Sequence, residues 1–484
     1  MGGHTQRDSY SDADYLAFAA RLREQLDLLG KHIASGRLDG GTHSIGGELE
    51  IYLVDQQFRP LPRNLELLEQ LDDPLLQLEL NRFNLEYNLA PQLLKDRVFS
   101  EYASNLNQTL QRIEQAANSL DGHVVAIGIL PGLTSADFVD CMTDTPRYHA
   151  LADNLRRIRG EPFRIRIEGE HDRLETRCDD VSLEGANTSW QLHLRVGAET
   201  FTDWFNAIQL VTPVALGIAG NSPMLFGHNL WDETRIALFR QSIDSRTGDA
   251  GDGWRQPARV SLGDGWLRRS PLELFSAAVA LYPPILPEIT EAPANQLSEL
   301  RLHMGTVWHW NRPVYDPVDG GHLRIEMRAL PAGPSAIDML ANSAFLIGAA
   351  NALRGNIEAL INALPFRYCQ HNFLSAARYG LQARILWPCR TQSELFERPL
   401  GEVIRELLPL AREGLKALGV EGTEAARLCG VIEARNENRQ TGSNWLRRTH
   451  ALLGGDNLAG DEMMRRYHGW QRSGQPVHEW SIEK

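Results

Sequence analysis

Two glutamates, Glu48 and Glu50, stand two positions apart in the stretch SIGGELEIYLVD, residues 44 to 55. The stretch is rich in Ile, Tyr, Leu and Val, which favours an extended chain, and in a strand residues i and i+2 point to one face. The two carboxylates therefore stand side by side, with Leu49, Ile51 and Leu53 facing the other way. Like charges that close are unfavourable unless water or a cation screens them. The same parity groups Asn84, Glu86 and Asn88 in NLEYN, and Gln191, His193 and Arg195 in WQLHLRV. In HLRIEMRAL it groups His322, Arg324, Glu326 and Arg328. Any antiparallel sheet turns a polar stripe to solvent, so each stripe alone has an ordinary structural explanation. Their content is less ordinary: four glutamates and a histidine on four separate strands.

If that face is concave, Glu48, Glu50, Glu86, Glu326 and His193 converge on one hole and can bind cations. Carboxylate-rich sets with an occasional imidazole suit Mg²⁺ or Mn²⁺ bridging phosphate oxygens, whereas zinc prefers more His or Cys. Arg324 and Arg328 then read as donors to phosphate or carboxylate, which a guanidinium binds through two parallel hydrogen bonds.

Competing motifs are weak. There is no GxxxxGK[ST], and no GxGxxG follows a strand. His303 and His309 lie six apart, a spacing that suits no common ligand set, and Trp308 and Trp310 read as packing residues. The run NLRRIRGEPFRIRIEGEHDR mixes both signs of charge and reads as a solvated surface.

Stepping from these residues to the chain that must carry them, 484 residues suffice for two to four domains, or for one large enzyme domain with an appendage. A hydrophobic content of 43% with 23% charged residues is ordinary globular composition. The net charge of −13 repels nucleic acid and anionic lipid, so neither is expected as a partner. Five scattered cysteines without a CxxC suit a reducing cytoplasm, and no zinc site is read from them. The polar, acidic N-terminus reads as neither signal nor transit peptide, and no run reaches the roughly 18 apolar residues of a membrane span.

A helix is expected over 11–34, before the SIGGELE strand, and a second over 96–119. Strands are expected at ELNRFNLEYNLA, HVVAIGIL (123–130), FRIRIEG (163–169) and SWQLHLRVG (189–197), with DRLETRCDD in a turn-rich stretch. Helix resumes at 201–219, is broken by NSPMLFGHN, and gives way to a long functional loop over 245–266. LRLHMGTVWHW (300–310) and HLRIEMRAL (322–330) are expected to pair as a hairpin across NRPVYDPVDGG. Helix follows from about 335 to 362, and from 391 onward the pattern is wholly helical. Irregular strand and helix spacing favours α+β with a largely antiparallel sheet.

IGGELEIYLVD resembles the Gly-x-Glu-x-Glu opening strand of the type 2 glutamate-cysteine ligase family and its carboxylate-amine ligase relatives. FNLEYNLAP is similar to their second acidic strand and SWQLHLRV to their Gln/His strand. AGNSPMLFGHNLWDETRIALFRQSID is similar to their Asn-Ser-Pro segment with its downstream arginine, and HLRIEMRALPAGPSAIDMLAN to the late strand carrying Glu and Arg. The likeness runs in order from about 40 to 390, with a weaker one at GLKALGV and RQTGSNW. It departs from the family at Gln191, where many relatives carry a second histidine.

The resemblance implies a glutamine-synthetase-like cup of mainly antiparallel strands, with helices on the convex face. It implies a catalytic domain over 1–390 and a helical C-terminal region, 391–484, packed on it. On it rest ATP and Mg²⁺ (or Mn²⁺) as cofactors, with Glu48, Glu50, Glu86, His193 and Glu326 as metal ligands. Arg240 and Arg328 would act in catalysis, and Gln191 and Arg324 would contact nucleotide or phosphate. The implied reaction joins a glutamate-like acid to a cysteine-like amine through an acyl phosphate, in a cytoplasmic protein for which a homodimer is compatible. The alternatives are a metal-dependent amide hydrolase and an inactive binding or regulatory relative on the same fold; a dead relative is expected to have lost some of the five ligand residues, and none is lost here.

Overall fold

The computed structural model describes residues 7, 9–246, 256–388, 395–455 and 457–482. Strands β1 (Ser44–Asp55), β2 (Leu76–Leu78), β3 (Asn84–Leu93) and β4 (Gly122–Val125) come first in the chain. They are followed by the hairpin β5 (Phe163–Glu168) and β6 (Arg173–Cys178), then by β7 (Trp190–Val196). A minimal hairpin of β8 (Met224–Leu225) and β9 (His228–Asn229) precedes β10 (Asn311–Asp316) and β11 (His322–Met327). Last come β12 (Arg384–Pro388) and β13 (Leu395–Pro399). Seven of these form one antiparallel sheet in the order β10-β11-β7-β1-β3-β2, with β4 pairing beside β1. The α+β cup expected from the sequence is the observed architecture, a curled antiparallel sheet backed by helices.

Register lines up the chemistry. Glu50 lies opposite Glu86, and Glu48 lies between Asn88 and Gln191. Glu326 stands opposite His193 on one side and Arg312 on the other. On the reverse face Leu49, Ile51 and Leu53 are wholly buried, each worth about 1.5–3 kcal/mol relative to exposure. They pack in one core with the helices Ala198–Ala219 and Ala336–Arg354. Trp190 on β7 reaches into that layer, its Nε1 donating to Ser343 Oγ at 2.8 Å. Gly47 faces the same ring, and a Cβ there would collide with it, which accounts for the glycine in IGGELE. The helix Ala336–Arg354 is long and apolar enough to cross a membrane, but 83% of its most apolar window is buried in this core.

Several expectations are corrected. LRLHMGTVWHW holds no strand: Ser298–Met304 is helical, burying Leu300, His303 and Met304. The apolar positions Leu300, Leu302 and Met304 fit a period of two, but over so short a run 300, 303 and 304 fit the helical period equally. The strand that pairs with β11 is instead β10, inside the segment expected to be the connection. Pro313 is tolerated there because β10 is the sheet edge and needs no outward N–H. DRLETRCDD contains β6 rather than only turns, and HVVAIGIL is extended in the ladder only as far as Val125. The region after 391 is not wholly helical, because β13 pairs with β12 before the helices Leu400–Ala417, Gly422–Asn438, Gly442–Leu452 and Asn457–Ser473. Residues 247–255 of the expected functional loop, and 391–394, lie outside the described residues.

Candidate active site

The inward face of the sheet lines a cavity, and Glu48, Glu50, Glu86, Gln191, His193, Glu326 and Arg328 all stand on its wall. Three of the expected ligands meet first: Glu48, His193 and Glu326 offer ligand atoms within 4.8 Å of one another, all buried. His193 Nε2 is 3.1 Å from Glu48 Oε1 and 4.0 Å from Glu326 Oε1. Neither ring nitrogen makes an aligned hydrogen bond, so a buried imidazole here has lone-pair or N–H capacity to spare. Glu50 and Glu86 belong to a second cluster of the same size, completed by Glu79 just after β2.

The two clusters differ electrostatically. Burial pushes the Glu50 carboxyl above its usual range, against the pull of Arg328 and Arg235. Burial, with the charges of Glu48 and Glu50, pushes Glu86 up to about 7. Burial together with Glu86 and Glu50 drives Glu79 well above the ordinary value. Glu184, from the 3₁₀ turn Ser182–Ala186, is raised to about 8, again chiefly by burial. These carboxyls resist ionising until a cation joins them. Glu326 behaves oppositely: burial opposes its charge, but Arg312 and Arg328 more than offset it and hold its pKa far down. Arg312 forks onto Glu326, with Nη2 donating to Oε1 at 2.9 Å, and Arg328 Nη1 donates to the same oxygen at 3.0 Å. Burial also works against the charge of Glu48, and the adjacent His193 overcomes it.

Gln191 links the clusters. Its Nε2 donates to Glu50 Oε1 at 2.8 Å, and its Oε1 accepts from Arg328 Nη1 at 2.6 Å. The Ser189 amide donates to the other Glu50 oxygen at 2.7 Å. A histidine at 191 would lack the two-sided amide that holds this line, a physical role for the departure noted above.

Two expected residues lie elsewhere. Arg324 shares the inward parity of β11 but is paired with Asp316 at 3.0 Å and does not line the cavity. Arg240 is exposed in the last turn of the helix Thr234–Ser242, three residues before Ile243, which does line it. The arginine of that helix that turns inward is Arg235, buried against Glu233 at 3.4 Å and over the Trp310 ring at 5.6 Å. The Asn-Ser-Pro segment supports it: the Asn221 amide and the Ser222 hydroxyl both donate to Glu233 Oε1, at 2.7 and 3.0 Å. Sequence reasoning missed Arg312, Glu79, Glu184, Arg147 and Arg301, all on the cavity wall. Parity on β10 would have found Arg312 opposite Glu326; the others come from turns and helices, where no strand periodicity marks them.

Five carboxylates at buried or half-buried positions, with one imidazole whose nitrogens make no aligned hydrogen bond, fit a hard divalent cation such as Mg²⁺ or Mn²⁺ better than zinc.

In fold the chain is similar to a ligase. The solved structure of glutamate–cysteine ligase from Francisella tularensis in complex with AMP matches with a TM-score of 0.52 and 12% identity, over 90% of each chain. Residues 44–256 match the model of glutamate-cysteine ligase family 2, so the family resemblance carried by IGGELEIYLVD, FNLEYNLAP and SWQLHLRV is shown over that segment. More distant likenesses are a bifunctional glutathione synthetase from Pasteurella multocida (TM-score 0.48, 12% identity, 89% of this chain and 53% of that one) and the complex between the prokaryotic ubiquitin-like protein Pup and its ligase PafA (0.38, 11%, 91% and 73%). Comparison with curated protein sequences gave no match.

Proposed function

We propose that this chain is an ATP- and Mg²⁺-dependent carboxylate-amine ligase that forms an amide through an acyl phosphate, joining the γ-carboxyl of a glutamate-like acid to an amino acid such as cysteine. The observation that carries the reading is the presence of two carboxylate clusters and an arginine fork on one wall of one cavity. The family match over 44–256 supports the ligase class, and the AMP held by the similar ligase supports nucleotide use.

In this reading Glu48, His193 and Glu326 hold one cation and Glu50, Glu79 and Glu86 another. Divalent charge there neutralises the triphosphate and the oxyanions that develop as the phosphoryl group moves. The remaining work falls to the chain. Arg328, fixed by Glu326 and Gln191, is preorganised to donate to phosphoryl oxygens without paying for its own ordering at the moment of reaction. Arg147 and Arg301, from the helices Pro146–Arg159 and Ser298–Met304, offer cations for the acid substrate's carboxylates. Arg240, exposed three residues before the wall residue Ile243, would have to swing toward the cavity to contact the incoming substrate or the transferring group, and Arg324 ties β11 to the edge strand β10 through Asp316.

The acid's carboxylate oxygen attacks the γ-phosphorus as the bond to the bridging oxygen breaks, and ADP leaves. The amine then attacks the acyl carbon, phosphate departs with the original carboxylate oxygen, and the amine sheds a proton. Glu184 on the cavity wall, raised to about 8, can take that proton only from its ionised form, which gains population as pH rises above neutral; otherwise the proton passes to solvent. The C-terminal helical region serves this domain as packing, through the helix Leu400–Ala417 lying in the same core.

An omission assay tests the reading. ADP release is expected only when ATP, Mg²⁺, an amino-acid acid and an amine are all present, and dropping Mg²⁺ should stop it. ADP released at the same rate without any acid or amine, or no release with a full amino-acid panel from a protein that binds ATP, would overturn it.

A further inference from the structure

Glu114, His123 and His468 form a third cluster, on elements that contribute nothing to the cavity wall. Glu114 lies about one turn before the end of the helix Val98–Asn118, His123 lies on β4, and His468 comes from the C-terminal helix Asn457–Ser473. Their ligand atoms lie within 4.8 Å of one another. Glu114 Oε1 is 2.8 Å from His123 Nδ1 and 3.3 Å from His468 Nε2. The other Glu114 oxygen accepts the Val124 amide at 2.8 Å, which fixes the carboxylate in place. His468 is 6% exposed, and its Nε2 is buried without an aligned hydrogen bond although it points at the cluster.

Gln56 Oε1 lies 3.1 Å from His123 Nε2. His123 Nδ1 and His468 Nε2 thus converge on the single oxygen Glu114 Oε1 from two different elements. An imidazole nitrogen can bind a proton or a metal ion, and two of them beside one fixed carboxylate oxygen present three donor atoms to a common point. The surroundings match an outer shell as well: the Gln56 amide orients one ligand ring, and Phe58 stacks on His123 at 5.6 Å and tilts against His468 at 5.5 Å.

We propose that Glu114, His123 and His468 bind a zinc ion that staples the C-terminal helix to the edge of the main sheet. Two imidazoles and one carboxylate are a zinc donor set, with bonds of about 2.0–2.2 Å that the observed separations allow after small side-chain shifts, and water fills the fourth position. The oxygen-rich clusters of the cavity prefer harder cations, so the two kinds of site are separable.

The test uses the full chain, stripped with a chelator and returned to buffer with excess Mg²⁺. Parent protein is expected to take up one tightly bound Zn²⁺ and to melt at higher temperature with it. His468→Gln should weaken that binding about a hundredfold and abolish the thermal shift, while Glu50→Gln keeps both. His123→Gln, at a partly exposed position, provides the same comparison if His468→Gln folds poorly, and Co²⁺ absorption reports the tetrahedral nitrogen-bearing site directly. Failure of the parent to bind Zn²⁺, or equal Zn²⁺ binding and melting in both histidine variants, would overturn the proposal.

Discussion

Glu50→Gln should abolish amide synthesis, by at least about a thousandfold, and yet leave the metal-free protein as stable as the parent or more so. Both outcomes follow from one fact: burial raises the pKa of this carboxyl, so its ionised form is unfavourable in the fold until a cation arrives. The amide replaces it at nearly the same shape and keeps the Ser189 contact at the expense of the one from Gln191 Nε2, while losing a ligand charge. The cluster also dictates a pH dependence. A carboxyl whose pKa is higher folded than unfolded stabilises the fold at low pH, and that contribution is lost as pH rises through the folded value. For Glu86, moved from 4.5 to about 7, the loss is on the order of 3 kcal/mol. Metal-free protein should therefore melt lower at pH 8 than at pH 5, with added Mg²⁺ removing the difference and Glu86→Gln reducing it, the part that remains coming from Glu50, Glu79 and Glu184. Thermal melting across that range, with and without Mg²⁺, checks both statements. A Glu50→Gln protein that melts far below the parent without metal, or that keeps full turnover, would refute the assignment.

The same substitution at Glu326 should do the opposite. Its carboxyl is held ionised by Arg312 and Arg328, so Glu326→Gln removes the counter-charge of two half-buried guanidiniums rather than relieving a repulsion. Breaking a buried ion pair from one side costs about 3–5 kcal/mol, and the expected result is a loss of that order in denaturant unfolding of the metal-free protein. Turnover should fall with it, because Arg328 loses the partner that aims it. Stability loss confined to a few tenths of a kcal/mol would mean that the arginines are not held as the geometry indicates. The contrast between Glu50 and Glu326 separates a carboxyl that burial keeps from ionising from one that two arginines hold ionised, a difference that strand parity alone does not show.

Parity was sufficient to bring the five expected residues to one cavity wall because each sits on a strand with an apolar reverse face, as Leu49, Ile51 and Leu53 show beside Glu48 and Glu50. Which glutamate faces which was not legible, since pairing joins residues far apart: Glu50 meets Glu86, and His193 meets Glu326. Arg312 stayed hidden because Pro313 and the neighbouring turn residues disguise an edge strand as a connection. Arg240 and Arg235 share one helix, and only the packing of Glu233 beneath Asn221 and Ser222 determines which arginine is drawn inward, which the sequence does not show. Glu79 and Glu184 reach the cavity from a strand end and a 3₁₀ turn, positions with no periodicity to read.

The central claim is that the cavity activates a carboxylate by phosphorylating it. Supplying the acid substrate with ¹⁸O in its reacting carboxylate, and reading released phosphate by mass spectrometry, tests this most directly. One labelled oxygen should appear in each phosphate, because that oxygen leaves with phosphorus when the amine attacks. Phosphate free of label, formed alongside genuine amide product, would contradict the account.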